Sequence, residues 1–435
     1  MQYFILGLMV VAALTRPKIM AGREVGFATI GVAGVLASIA TGGAPTALVI
    51  NTIVSMGPAI ATITSLMLFV GACRSVGLLD RITNFIITSA RGDSRRLMSL
   101  LFWIGAGFGA LFTNDAAILL LTPLTIHLCL NRQGRHSDED HLPFLFAVLY
   151  IGNLVGTLVI SNPINIIAAS FFEIPFLNYF LWMAIPALVS MLVTWMGLMV
   201  VFRRELRAKP EFVVDASFEM EGDAAPGVVH QWVVGVLLLI VLTFFTLEQI
   251  TGFPIWIVAV SGAAITCAYA YVVTRKAKVI TSRVDAPILV FMTAVAVVAV
   301  AVRNAGLTEE VADVSRQLLN TSTEWSIIGM SFLSAVVAAF INNHSTVSLM
   351  IWVVEDLALD RSLEQAVVMA SLIGADLGPK MLPVGSLAAM MWLRMLSESG
   401  IKFKLWTYVK IGVPVTLLGV GASSVFLVLE HATFG

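Results

Sequence analysis

Charge is the scarcest feature of this 435-residue chain: Asp, Glu, Lys and Arg make up only 12% of it, against 58% hydrophobic residues. No soluble domain could bury so much apolar surface, so the bilayer must be the solvent. The net charge of −1 is uninformative in a membrane chain, and nothing suggests nucleic acid as a partner, because the basic residues sit in short loops and form no continuous stripe. Cysteine is nearly missing. Cys73, Cys129 and Cys267 lie far apart in apolar segments, where they read as small buried hydrophobes rather than as a thiol or soft-metal site. No metal-ligand spacing, phosphate loop or Ser/His/Asp nucleophile arrangement is visible, which argues against an enzyme and against any cofactor. The apolar start, Met1 to Leu14, lacks a preceding positive charge and a small-residue cleavage site, so it reads as a retained span.

What the chain does have is internal repetition. Shifted by 229 residues, Arg74-Ser75-Val76-Gly77-Leu78 falls on Arg303-Asn304-Ala305-Gly306-Leu307, and Thr113-Asn114-Asp115 falls on Asn342-Asn343-His344. Apolar segments run at about 3–15, 25–41, 48–73, 97–130, 143–169, 178–202, 230–250, 254–274, 286–302, 326–354, 365–393 and 406–429. The expected domains are a first repeat over 1–209, a cytoplasmic linker over 210–229 and a second repeat over 230–435. Equivalent loops carry opposite charge: 74–96 has five Arg against two Asp, a balance of +3, whereas 303–325 has two Arg against four acids, a balance of −2. By the positive-inside rule these loops lie on opposite sides, so the repeats are inverted. The expected fold is an all-α polytopic membrane protein, two inverted repeats of five transmembrane helices, each with a re-entrant hairpin. That makes ten spans plus two hairpins, or twelve spans if the hairpins cross. A duplicated chain with a polar break in each half has the pattern of a secondary transporter.

The polar breaks are the candidate site. The first hairpin carries Thr113, Asn114 and Asp115; the second carries Asn343, His344, Ser345 and Thr346. Asn offers a donor and an acceptor, suited to a polyhydroxy solute or to ion coordination. A carboxylate such as Asp115 is costly at membrane depth unless paired, protonated or bound to a cation. His344 reads equally as a satisfied structural histidine and as a group that titrates near neutral pH. A second pair of breaks follows, with Asn162, Pro163 and Asn165 in the first half and Gly374 to Pro379, Pro383, Gly385 and Ser386 in the second. Proline in mid-span frees a backbone carbonyl and ends a continuous helix. Asp376 and Lys380 are four residues apart and could neutralise one another on a helix, either to hold the fold or to set a proton-carrying carboxylate.

At these residues the chain resembles the arsenite/antimonite efflux permeases, the ArsB-type arsenical pump membrane proteins of the ion transporter superfamily. The matching stretches are Arg303 to Thr308, Asn342-Asn343 with Thr346, and Gly374 through Leu393; in the first half they are Asn114-Asp115 with Leu121-Thr122-Pro123, and Ser161-Asn162 with Asn165-Ile166. Three departures fall at the presumed site: His344-Ser345 stands where the family often has Met-Pro, Ala375 where a Cys is usual, and Pro163 where members commonly lack proline. The resemblance implies export of arsenite or antimonite in exchange for protons across the cell (inner) membrane of a bacterium or archaeon. It implies hairpin tips and helix breaks meeting near the bilayer midplane, with Thr113, Asn114, Asn162, Asn165, Asn343, Ser345, Thr346, Gly385 and Ser386 about the solute. Asp115, Asp376, Lys380 and His344 would then serve proton coupling. Any use of ATP would need a separate soluble ATPase subunit. A sodium/proton antiporter or a carboxylate transporter of the same superfamily is the alternative.

Overall fold

In the computed structural model, residues 1–15, 25–130, 141–207, 227–319, 322–401 and 404–434 are described. The central part of the expected 210–229 linker lies outside them, and its last two residues already belong to a helix. Every regular element among the described residues is helical. The first half contains α1 (Gln2–Thr15), α2 (Phe27–Ala40), α3 (Thr46–Ser75), α4 (Leu78–Ala90), α5 (Ser94–Leu111), α6 (Asn114–Leu130), α7 (Leu142–Ile151), α8 (Pro163–Phe171) and α9 (Phe176–Val201). The second contains α10 (Val228–Thr246), α11 (Glu248–Thr251), α12 (Ile255–Thr274), α13 (Ala277–Thr281), α14 (Ala286–Asn304), α15 (Leu307–Leu319), α16 (Thr323–Ile341), α17 (Asn343–Leu357), α18 (Arg361–Leu377), α19 (Leu387–Glu398) and α20 (Leu405–Phe434).

Seven stretches among the described residues are long and apolar enough to cross a bilayer: α3, α9, α10, α12, α13 with α14, α16 and α20. α1, α2, α6 and α7 are apolar but shorter. At 1.5 Å per residue, the 14 residues of α2 reach only about 21 Å, less than the hydrocarbon core. The protein is therefore a multi-pass membrane protein that combines full-length helices with shorter ones.

The 229-residue register persists in the helices. α4 and α15 begin and end 229 residues apart, and α5–α6 matches α16–α17 to within a few residues. Equivalent helices also have equivalent neighbours: α2 packs on α14 as α3 does on α12, and α8 on α17 as α19 does on α6, across the halves, while α5 packs on α7 and α16 on α18 within each half.

The segments 74–96 and 303–325 read as charged loops by sequence, yet each contains an amphipathic helix. In α4, Leu79, Thr83, Ile86, Ile87 and Ala90 recur at helical spacing and are buried, while Arg81 and Asn84 remain outside that face. Gly77 and Gly306 precede these helices at φ values of 76° and 88°, where a side chain would be strained. At the far end of α14, Arg303 donates to Asp356 at 2.8 Å and Glu355 at 3.3 Å, and its guanidinium lies 4.3 Å from the Trp352 ring centre. Thr308 donates to the other Asp356 oxygen at 2.7 Å, so one cluster ties α14, α15 and α17 together. Arg303→Met is expected to lower stability by about 1–2 kcal/mol, because it removes a cation–π contact together with a half-exposed ion pair. Thermal unfolding in detergent measures this; an unchanged midpoint would show the cluster to be energetically idle.

Candidate functional site

Four helix breaks build the site. The first separates α5 from α6 at Phe112 and Thr113. Thr113 Oγ1 accepts from the Ala116 N–H at 3.1 Å, and Asn114 Nδ2 donates to the Leu154 carbonyl at 2.9 Å. The tip is thereby fixed to the irregular stretch that follows α7. Gly109 makes the approach feasible, since a Cβ there would stand 2.8 Å from Asn114 Oδ1. The Asp115 side chain lies outside the described residues.

The second break is a single residue, Asn342, at φ 66° and ψ 161°, a region favoured almost only by glycine. Local hydrogen bonds hold it there. Asn342 Oδ1 accepts from the Ser345 N–H at 3.0 Å, and the Asn342 carbonyl accepts from Thr346 Oγ1 at 2.6 Å. Asn343 Oδ1 pairs with His344 Nδ1 at 2.9 Å and accepts the His344 N–H at 3.0 Å. Asn342 Nδ2 and Ser345 Oγ, both buried, have no partner among the described residues.

The remaining two breaks meet each other. After α7 the chain runs irregularly through Gly156, makes a 3₁₀ turn over Val159–Ser161 and starts α8, whose N-terminus the Asn162 side chain caps. After α18 it makes 3₁₀ turns over Gly378–Lys380 and Pro383–Gly385 before α19, capped by Ser386 Oγ on the Ala389 N–H at 3.1 Å. The fully buried Asp376 joins them: Oδ2 accepts the Gly156 N–H at 3.0 Å and Oδ1 accepts Asn162 Nδ2 at 2.6 Å. Tyr179 donates to the Gly156 carbonyl at 3.2 Å, holding the same peptide from α9. The carboxylate of one half thus completes the broken backbone of the other.

Lys380 forms no salt bridge within 4.0 Å of Asp376 among the described residues, although the two buried groups lie near enough to act on one another electrostatically. The helix ends at Leu377, and the 3₁₀ geometry that follows does not bring residue 380 back over residue 376 as another α-turn would. Its ammonium instead donates to Thr194 at 3.2 Å and lies 5.3 Å from the Tyr150 ring centre. Tyr408 donates to the Pro379 carbonyl at 2.9 Å, fixing this turn to α20.

The region is polar yet incompletely hydrogen bonded. Both amide atoms of Asn165 and both of Asn153 are buried with no hydrogen-bond partner within 3.5 Å among the described residues, and Asn165 lies beside the Asp376 carboxyl. A Cβ on Gly156 would stand 2.1 Å from Asn165 Nδ2. Asn153, Asn342, Gly156 and Tyr179 fell outside the residues assigned to the site from sequence. Asn153 had a signal in its position in an apolar run beside Gly152; Tyr179 had none. Gly385 packs against α16, where a Cβ would stand 2.6 Å from the Ala338 carbonyl oxygen. Thiols lie elsewhere: Cys73 is buried in α3 and Cys267 half-buried on α12, its Sγ 3.7 Å from the Leu68 carbonyl, while the Cys129 side chain is outside the described residues.

A cavity of about 450 Å³ approaches α8 from the end of α9 opposite Arg203 and Arg204. Val159, Ile166 and Ala169 form its inner wall, and Pro58 and Thr62 of α3 the facing one. Glu248 closes its rim by accepting the Phe176 N–H at 3.0 Å and the Ile255 N–H at 3.4 Å, which ties the starts of α9 and α12 together. Thr62, Ser170, Glu173 and Glu248 are its polar lining, and the asparagines of the breaks are not part of it.

Three comparisons bear on this arrangement. Residues 1–429 match the family model described as arsenical pump membrane protein. An arsenical pump membrane protein of Escherichia coli is 31% identical over 341 residues, covering 75% of each chain, and one of Yersinia enterocolitica is 32% identical over 337 residues, also covering 75% of each. The crystal structure of the YdaH transporter of Alcanivorax borkumensis superposes with a TM-score of 0.58 at 15% identity, covering 98% of this chain and 96% of that one. That last likeness concerns the fold alone.

Proposed function

Because this chain belongs to the arsenical pump membrane protein family, a family of membrane transporters rather than enzymes, we propose that it expels arsenite or antimonite from the cytoplasm in exchange for protons. The two halves, 1–209 and 230–435, act as inverted repeats, in keeping with the opposite charge of loops 74–96 and 303–325. The observation that carries the reading is the junction of the two breaks at Asp376, with the Asn165 amide beside it and the buried, unpartnered Asn153 amide in the first half's break. Arsenite at neutral pH is a neutral trihydroxide, and its three hydroxyls each donate and accept hydrogen bonds. Unmet amide groups match that chemistry without thiols. Asn162, Asn165 and Asn153 orient the solute, with Asn114 and Asn343 holding the hairpin tips beside it. Asp376 alternates between accepting its two cross-half donors and holding a proton, so solute and proton compete for one set of hydrogen bonds.

Everted membrane vesicles with an imposed proton gradient test this directly. Arsenite should accumulate when the lumen is acidic, and collapse of the gradient should release it. Accumulation that follows a sodium gradient instead would sink proton exchange, and no accumulation under either gradient would sink arsenite as the solute. Asn165→Leu is nearly isosteric and removes both unmet groups. It should lower arsenite transport by about 10-fold, a loss of one to two hydrogen bonds to the solute. An Asn165→Leu rate equal to wild type would remove this amide from the site.

A further inference from the structure

A second cavity, of about 630 Å³, lies where α9 and α18 begin and α20 ends. Its polar end holds Asn178, Arg361, Ser362, Gln365 and Glu430; its other wall is Phe180, Leu181 and Ile185 of α9, all turned away from the protein interior toward lipid. Glu430 is the unusual member. It is only 5% exposed, and neither carboxylate oxygen has a hydrogen-bond partner among the described residues. A buried carboxylate without a donor is costly, and a membrane protein keeps one where a cationic group meets it. Its neighbour His431 lies 3.4 Å from Ser362 Oγ and stacks loosely on Trp182 at 6.0 Å, which fixes the end of α20 against α9 and α18. Arg361 and Glu364 occupy the first turn of α18 after the capping Asp360, and Glu324 begins α16 nearby in the fold.

We propose that this cavity binds an aminophospholipid, with the lipid's primary ammonium on Glu430, its phosphate on Arg361 and its acyl chains along Leu181 and Ile185. The order of groups fits a lipid lying in the leaflet at the end of α9 opposite Arg203, Arg204 and Arg207. The polar residues stand at the helix termini, at headgroup depth, and the apolar wall continues one to two turns deeper along α9. A separation of opposite charges over a lipid-facing wall selects a zwitterion over an anionic headgroup. A primary ammonium donates hydrogen bonds to a carboxylate, which a quaternary ammonium cannot.

Purified full-length protein in detergent, titrated with phosphatidylethanolamine, phosphatidylcholine or phosphatidylglycerol and followed by thermal unfolding, tests the assignment. Phosphatidylethanolamine should act at concentrations about 10-fold below phosphatidylcholine, the factor expected for one added charge-assisted interaction. Glu430→Gln should erase that preference and Arg361→Gln should weaken both zwitterionic lipids. Equal action of the two zwitterionic lipids, a stronger effect of phosphatidylglycerol, or an unaltered preference in Glu430→Gln would each overturn the proposal. Should Glu430→Gln fail to fold, the wild-type comparison and Arg361→Gln decide alone.

Discussion

Asp376→Asn is expected to lower the initial rate of arsenite transport by about 100-fold and to remove its dependence on the proton gradient, the scale of losing a charge-assisted hydrogen bond in a buried site together with a proton carrier. The carboxylate accepts two donors, the Gly156 N–H and Asn162 Nδ2, one on each oxygen. An amide in its place has one oxygen for two donors, and its NH₂ must face either a backbone N–H or another NH₂. Flipping Asn162 relieves the second clash only by withdrawing Oδ1 from the Ile164 N–H, the bond that caps α8. The defect therefore spreads from the second half's break into the first. Asn162→Ala removes one donor but leaves the carboxylate and the Gly156 bond, so its loss should be smaller, about 10-fold. Initial rates in vesicles at equal protein content, measured across pH with the gradient present and collapsed, separate the two effects. An Asp376→Asn rate within threefold of wild type, or one still driven by the gradient, would remove Asp376 from coupling.

The helix breaks at the two polar triplets and the two proline-containing segments were legible in the sequence, because each is a local interruption of an apolar run. Helix breaks appear where Thr113, Asn342, Pro163 and Pro379 led one to expect them. Less was legible where two readings of one segment competed. The arginines of 74–96 drew attention to charge, yet Leu79, Thr83, Ile86 and Ala90 carried a helical period beneath it. The spacing of Asp376 and Lys380 suggested a direct salt bridge only on the assumption that α18 continued through residue 380; it ends at Leu377, and the two act on one another without one. The contact between Asn162 and Asp376 joins residues 214 positions apart, and no local pattern encodes it. Asn153 was visible as a polar residue in a break but not as an unpartnered one, because satisfaction of a side chain depends on neighbours that only tertiary packing supplies.

Gly374→Ala and Gly378→Ala should each destabilise the protein by about 3 kcal/mol or more, the upper range of overpacking, although alanine is the better helix former by about 1 kcal/mol. The two glycines flank Asp376 at positions four apart, Gly374 in α18 and Gly378 in the 3₁₀ turn that follows, and both face α16. A Cβ on Gly374 would stand 2.1 Å from the Ser331 carbonyl oxygen, and one on Gly378 would stand 2.2 Å from that of Ala335. Both obstacles are backbone, which cannot rotate aside as a side chain can. The helices would have to separate, breaking the 2.6 Å bond from Ser334 Oγ to the Ser371 carbonyl. Separation would also draw Asp376 off Gly156 and Asn162, so transport should fall with stability. Gly235→Ala supplies the opposite sign: it lies within α10 with open space where the methyl would go, and should be neutral or slightly stabilising. Unfolding midpoints of the three variants in one detergent decide the matter. Equal midpoints for all three would mean that α16 and α18 do not depend on glycine for their close approach, and that Asp376 is positioned by its hydrogen bonds alone.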